Sequence, residues 1–227
     1  MSRRLSIVIP ALDEAASLGA TLRALQPLRA AGHEVIVVDG GSSDGTPALA
    51  HALADRVLAA ARGRASQMNA GADAATGEVL LFLHADTHLP PGADRAVLDG
   101  LAASGANWGR FDVRIEGRSP LLALVAWLMN WRSRLTGIAT GDQAMFVTRA
   151  TFAAVGGFPS VALMEDVALS KRLKRVSPPL CIRDRVLTSG RRWESRGVVR
   201  TIVLMWWLRL RYFLGGSPER LHRIYYG

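Results

Sequence analysis

Four short acidic segments hold most of the side chains in this sequence that can do chemistry. They are Val38-Asp39-Gly40-Gly41-Ser42-Ser43-Asp44-Gly45-Thr46, His84-Ala85-Asp86-Thr87, Gly141-Asp142-Gln143 and Met164-Glu165-Asp166. The first two follow short apolar runs, Val35-Ile36-Val37-Val38 and Leu80-Leu81-Phe82-Leu83, that read as buried strands. Open α/β sheets bind ligands beyond the carboxyl ends of their parallel strands. Carboxylates spaced this way predict a site for a nucleotide and a metal.

Each candidate carries a chemical reading and an ordinary one. Asp39 ends a strand, where a carboxylate can accept from a ribose hydroxyl or a base N–H. A capped turn explains Ser43 and Asp44 but leaves Asp39 without a role. His84 and Asp86 are spaced i, i+2 and point to one side of an extended chain. Asp86 suits Mg²⁺ or Mn²⁺ bridging to phosphate oxygens. His84 reads equally as a ligand or as a packed, hydrogen-bonded histidine. Glu165 and Asp166 open a helix, and the helix dipole alone accounts for acidic residues there. The same dipole keeps a carboxylate ionised, as a general base acting on a hydroxyl requires. Arg192-Trp193, after Arg191, offers bidentate phosphate recognition beside an aromatic shield, or surface arginines beside a core tryptophan. Arg64 stands at a helix start, within reach of a diphosphate or facing solvent.

The elements that must position these residues alternate. Residues 5–9, 34–38, 56–59 and 78–83 read as strands, and 14–31, the segment after Asp44, and 65–75 as helices. That βαβ order predicts a doubly wound, mostly parallel sheet with flanking helices. Further on, 108–115 and 144–148 read as strands, and residues 185–188 are strand-like. Helices are expected after Pro90-Pro91 and over 119–135, 149–155, 165–175, 194–213 and 218–225. No repeat, low-complexity tract or flexible linker interrupts them. One domain is expected: a nucleotide half (1–104), an acceptor half (105–193) and a helical basic tail (194–227).

The chain has 227 residues, enough for a substantial core. The single cysteine, Cys181, excludes an internal disulfide framework and reads as a small buried residue in a reducing compartment. The first ten residues read as a strand rather than a leader, because Asp13-Glu14 follow at once. Charge is uneven: residues 1–170 carry 14 basic and 16 acidic side chains, residues 171–227 carry 14 and 3. The basic character therefore belongs to the tail, and suits anionic lipid or phosphorylated substrates.

Taken together, these residues resemble a family 2 glycosyltransferase of the GT-A fold. Ser6-Ile7-Val8-Ile9-Pro10-Ala11-Leu12-Asp13-Glu14 is similar to the family's opening strand and loop, which implies Pro10, Ala11 and Glu14 near the nucleobase. The resemblance implies Asp39 as the nucleoside carboxylate, Asp86 as the metal-binding last Asp of DxD, Asp166 as catalytic base of the ED pair with Glu165, and Arg192-Trp193 as the end of QxxRW. His84 replaces the first Asp of DxD and Ser189 the Gln of QxxRW; the second change points to single transfer rather than processive synthesis. Gly63–Gly71, Gly141-Asp142-Gln143 and the tail look like a bacterial subgroup known as rSAM/selenodomain-associated transferases. The chemistry implied is inverting displacement on a nucleotide-diphosphate sugar, UDP by family habit, with a divalent metal. Asp142 and Gln143 are candidates for sugar or acceptor contacts.

Residues 198–213 mix arginines 200, 209 and 211 with two tryptophans in an apolar stretch. This suits the membrane interface, with helix 119–135 adding Trp127 and Trp131, or packing on the core or in a homodimer. A lipid-linked acceptor fits the first reading; nucleic acid does not fit the apolar character. A cytoplasmic protein, peripheral on the inner membrane face, is expected. The competing readings are a catalytically inactive, membrane-associated nucleotide-sugar binding protein and a sugar nucleotidyltransferase. Pro10-Ala11-Leu12-Asp13-Glu14 lacks the Gly-rich basic loop that the latter requires.

Overall fold

The structure, a computed structural model, describes residues 4–226; the side chains of Arg192 and Tyr226 lie outside that description. Alternation explains the first half of the fold. In β1 (Leu5–Ala11), β2 (Glu34–Asp39) and β4 (Val79–Phe82), successive apolar residues turn to opposite faces and both faces are covered. Leu5, Ile7, Ile9, Val35, Val37, Val79 and Leu81 join one core, together with α1 (Ala15–Ala24), α5 (Ala93–Ser104) and α6 (Leu121–Thr136). Val8, Ile36, Val38, Leu80 and Phe82 join the other, with α4 (Arg64–Ala74), α7 (Arg149–Ala154) and α8 (Glu165–Leu173).

The eight-stranded sheet runs β3-β2-β1-β4-β7-β6-β8-β5, where β3 is Arg56–Ala59, β5 Thr87–His88, β6 Trp108–Glu116, β7 Phe146–Thr148 and β8 Leu180–Ser189. β7 is antiparallel to β4 and β6, and β5 is antiparallel to β8; the other pairings are parallel. The sheet is thus the expected mostly parallel α/β sheet with flanking helices. Strand order reverses between β1, whose crossover partner β2 lies on one side, and β4 on the other, which opens the ligand crevice at their carboxyl ends.

Several elements depart from expectation. The segment 14–31 forms two helices, α1 and α2 (Gln26–Ala30), separated at Leu25. β8 is longer than residues 185–188 suggested, because pairing with β6 carries it past Arg183, Asp184 and Arg185. The expected helix 194–213 is two, α9 (Arg191–Ser195) and α10 (Val198–Phe213), divided by Gly197 at φ +82. Cys181 is only partly buried. A third cluster, with Ile138, Leu163, Met164, Val167, Leu208 and Leu221, docks α10 and α11 (Pro218–Tyr226) against the head of α8.

Gly71 sets how closely α4 lies on the sheet. A Cβ there would stand 2.3 Å from Val8 Cγ1 and 3.0 Å from Val38 Cγ2. Both contacts come from buried strands that cannot yield cheaply. Gly71→Ala should therefore destabilise the fold by about 1–3 kcal/mol, the usual cost of overpacking a tight core. Equilibrium denaturation reads this directly, and an unchanged midpoint would mean that the helix can lift off the sheet without cost.

Candidate active site

The wall at the carboxyl ends of β1 and β2 is made by two loops stitched to one another. Asp13 N–H donates to Ser42 Oγ (2.9 Å), and Ser43 N–H donates to Asp13 Oδ1 (2.8 Å). Glu14 N–H donates to Thr46 Oγ1 (2.8 Å), and Ala15 N–H to Asp44 Oδ2 (3.0 Å). The short hydroxyl and N–H bonds from Thr46 hold the Asp44 carboxyl below its usual range. Asp39, at the end of β2, accepts from Gly41 N–H (3.0 Å), Ser42 N–H (3.1 Å) and Ser42 Oγ (2.5 Å). The cap of this turn is therefore Asp39 itself, which its sequence position did not disclose. Pro10 and Ala11 close β1, and Gly40 N–H donates to Ala11 O (2.9 Å).

Gln67 was not among the expected site residues. It is buried on α4, and its Nε2 donates to both Ala11 O and Val38 O at 2.8 Å, tying the ends of β1 and β2 together. The only signal in the sequence was its place in Gly63-Arg64-Ala65-Ser66-Gln67.

The β4 exit and the β8 exit meet next to this wall. Thr87 Oγ1 donates to Thr188 Oγ1 (2.9 Å) across the β5–β8 pair, and Ser189 N–H donates to the Asp86 carbonyl (3.3 Å). That pairing carries Arg191 to Glu14, Nη2 to Oε2 at 3.5 Å. Trp193 packs against the core. His84 Nδ1 lies 3.2 Å from Asp142 Oδ1, and a Cβ on Gly141 would fall 2.4 Å from His84 Nε2. Only glycine at 141 lets the ring pass.

His84, Gly141, Met145, Phe158, Glu165 and Asp166 line one crevice. Asp166 accepts from Gly141 N–H (2.9 Å) and from its neighbour Val167 N–H (2.6 Å). Burial pushes the Asp166 carboxyl up; the two N–H donors and the Arg64 charge oppose the rise, and Asp142 adds to it. Burial, and then the charge of Asp166, likewise push Glu165 up, with Arg64 opposing. Arg64 thus acts on both carboxylates from the first residue of α4.

Gln143 differs from expectation. It is fully buried in a 3₁₀ turn (Gly141–Gln143), where its side-chain oxygen accepts from Thr140 N–H (3.2 Å) and its Nε2 donates to Asn130 Oδ1 (3.4 Å). It shapes the loop and has no surface left for a sugar. Asp142, half-exposed, does face outward. The Arg192 side chain lies outside the described residues. Non-glycine residues with positive φ among the described residues are Asp13, Ala144 and Met164. All three lie on segments that build this site, and such strain collects where surrounding contacts over-determine a functional geometry.

Among the described residues no three His, Cys, Asp or Glu side chains cluster to hold a metal. Asp86 is nevertheless partly exposed, in the turn between β4 and β5 rather than at the end of an extended strand, and His84 is engaged by Asp142. One free carboxylate fits an octahedral Mg²⁺- or Mn²⁺-type ion that draws its remaining ligands from phosphates and water.

The raised Glu165 and Asp166 make stability pH-dependent. Ionising a carboxyl whose folded pKa exceeds its unfolded one costs stability, so the loss begins near pH 4.5 and grows as pH rises through the folded value. Glu165→Gln should raise the midpoint at pH 8 by roughly 2–4 °C per kcal/mol of relieved repulsion, and the advantage should vanish near pH 4. A variant less stable than the parent at pH 8 would show that the ionised pair is not a burden.

The sequence model described as Glycosyl transferase family 2 matches residues 6–151. The beta-monoglucosyldiacylglycerol synthase of Synechocystis sp. is 26% identical over 246 residues, which span 95% of this chain and 48% of the relative. The chain thus spans about half the length of that curated relative. S. aureus TarS 1-349 in complex with UDP superposes with a TM-score of 0.67 at 16% identity, over 82% of this chain and 60% of that one. Glucosyl-3-phosphoglycerate synthase from Mycobacterium tuberculosis, in complex with Mn²⁺, UDP and glucosyl-3-phosphoglycerate, does so with 0.61 at 21%, over 82% and 71%. These neighbours share the fold. The family match covers well over half of the sequence, including Asp39 and Asp86, and the chain belongs to glycosyl transferase family 2.

Proposed function

We propose that this glycosyltransferase moves a sugar from a nucleoside diphosphate donor, UDP first among the candidates, to a hydroxyl of a lipid-linked acceptor, with inversion. The observation that carries the reading is Asp166. It is a buried carboxylate fixed by two backbone N–H groups, on a crevice it shares with His84 and Glu165. The neighbours bound to UDP and Mn²⁺ support the donor and the metal. The Synechocystis relative, a beta-monoglucosyldiacylglycerol synthase, supports the lipid.

In this mechanism Asp166 takes the proton of the acceptor hydroxyl. The hydroxyl oxygen bonds to the anomeric carbon on the face opposite the diphosphate, and the bond from that carbon to the diphosphate oxygen breaks. The Gly141 and Val167 N–H groups hold the carboxylate lone pair on line. Arg64 favours its ionised form against burial and supports the leaving diphosphate, a role the family resemblance also gives to Arg192. Pro10, Ala11, Glu14 and Asp39 frame the nucleoside, while Asp142 and Trp193 border the acceptor side. Asp86 would hold a Mn²⁺ or Mg²⁺, which when bound neutralises charge on the departing diphosphate.

Lipid acceptors require the enzyme to sit at a bilayer. No helix among the described residues is long and apolar enough to cross one. α10 instead buries Thr201 and Leu208 and presents Val199, Val203, Trp206, Leu210 and Phe213 along one exposed stripe, Trp206 at 65% exposure. Neighbouring α6 exposes Leu124, Trp127, Trp131 and Leu135. Arg200, Arg209 and Arg211 lie on the same helix as the first stripe. An apolar, tryptophan-rich face inside a region of net positive charge matches an anionic membrane, whereas a second copy of a chain with formal charge +9 would be repelled.

Three measurements test this. Thermal unfolding against UDP, GDP and dTDP with Mn²⁺ or Mg²⁺ should show a metal-dependent rise with one nucleotide, lost in Asp86→Ala. Asp166→Asn should keep that rise while turnover falls about 10²- to 10⁴-fold; undiminished turnover would remove Asp166 as base. In flotation, the protein should rise with vesicles containing phosphatidylglycerol, less with pure phosphatidylcholine, and less with Trp206→Ser/Phe213→Ser. Recovery at the bottom with both vesicle types, or a dimer dissolved by the same substitutions, would reject the membrane.

A further inference from the structure

Among the described residues, only Arg132 and Arg209 have buried side-chain nitrogens with no hydrogen-bond partner. Arg209 lacks a partner at Nε alone; Arg132 lacks one at both Nε and Nη2. Those two nitrogens form one edge of the guanidinium, the edge that grips an oxyanion with two parallel N–H bonds. Leaving them dry and unpaired is costly unless something supplies the missing acceptors.

Nearby arginines show the contrast. Arg110 is fully buried, yet its Nε donates to Ser133 Oγ (3.0 Å), its Nη2 to Asn130 O (3.2 Å) and its Nη1 pairs with Asp112. Arg134 takes the other oxygen of the same carboxylate at 2.6 Å. Asp112 is therefore fully used, and Arg132, between them in the sequence, is left out of the network. Burial weakens its hold on the proton, the charge of Asp166 strengthens it, and that of Arg110 weakens it further.

Its place in the fold says what the acceptor group must be. Arg132 sits on α6 beside the exposed Trp131, at the border between the helix's buried and exposed faces. It feels Asp166, and so does Tyr212 of α10, whose hydroxyl burial and the Asp166 charge hold in the protonated form. Lys171 lies 4.8 Å from the Tyr212 ring centre. Arg132 thus adjoins the apolar face through Trp131 and lies within electrostatic reach of the proposed base.

We propose that the unpaired Nε–Nη2 edge of Arg132 binds the phosphate of an anionic lipid acceptor and so holds the acceptor hydroxyl near Asp166. This rests on the glycosyltransferase reading above, but its test does not use turnover. Thermal unfolding would compare the parent, Arg132→Met and Asp86→Ala, each alone and with hexyl phosphate, hexanol or inorganic phosphate. Without any probe Arg132→Met should melt higher than the parent, because a dry unpaired cation has been replaced by an apolar chain. Hexyl phosphate should raise the midpoint of the parent and of Asp86→Ala by several degrees and leave Arg132→Met unmoved; hexanol should do nothing, and inorganic phosphate should do less. The proposal falls if Arg132→Met melts lower, which marks a structural arginine. It falls equally if hexyl phosphate has no effect on the parent, or acts on Arg132→Met as on the parent. A response abolished by Asp86→Ala would place the phosphate in the donor site, and inorganic phosphate matching hexyl phosphate would exclude the lipid. Loss of the UDP response with the hexyl phosphate response intact would sink the glycosyltransferase reading and leave the Arg132 site standing.

Discussion

The candidate base is tied to the rest of the fold by one long-range backbone hydrogen bond, from Gly141 N–H to Asp166 Oδ2. The donor is aimed by a buried chain of side chains rather than by secondary structure. Asn130 of α6 grips both backbone groups of Val113 on β6, accepting at 2.9 Å and donating at 3.0 Å. Gln143 leans on the same Asn130 and turns its own oxygen back to Thr140 N–H. Sheet, α6 and the 140–143 loop are thus one hydrogen-bonded unit with the carboxylate of α8 at its end. Buried polar groups fixed in this way over-determine a geometry, and that is what lets Ala144 and Met164 sit at positive φ without relaxing.

The same unit explains why charge is tolerated in the crevice. Two adjacent carboxylates, Glu165 and Asp166, are buried together with Asp142 acting on the second. Alone they would be driven toward their neutral forms. Arg64 and the backbone N–H groups at the head of α8 restore part of the ionised population. A carboxylate held this way ionises above the ordinary carboxylate range, and a cation on a different helix, α4, opposes the rise. The heads of α4 and α8 are coupled through that charge.

Sequence reading reached the parts of this fold governed by local pattern. Strands such as Val35-Ile36-Val37-Val38 are apolar on both faces, and period and turn residues were sufficient to find them. β5 was missed because two residues become a strand only when Thr87 meets Thr188, far along the chain. β8 was cut short because Arg183 and Asp184 look like a loop; they lie in a bulge that the strand crosses only because β6 pairs with Ile182 before it and Arg185 after it. Asp39 and Asp86 stood out by position. The roles of Gln67, Gln143 and Arg132 did not, since each depends on which backbone or side chain it meets from another element. Asp39 shows the middle case: the residue was visible, its cap of its own loop was not.

Composition left open whether the tail packs on the core or offers a free face. α10 packs on one side and is exposed on the other. Leu208 is fully buried against the head of α8, so the helix cannot detach without exposing the cluster that positions Met164 and Val167. Its other side leaves Trp206, Leu210 and Phe213 in water. A helix held on one face has little orientational entropy to lose when the opposite face finds a partner. Because α10 touches both the apolar surface and the first turn of α8, a surface that receives the stripe brings its own polar groups to the mouth of the Asp166 crevice in a fixed orientation. Under the proposed membrane reading, the geometry of the tail would therefore bear on which acceptors reach Asp166 as well as on where the enzyme sits.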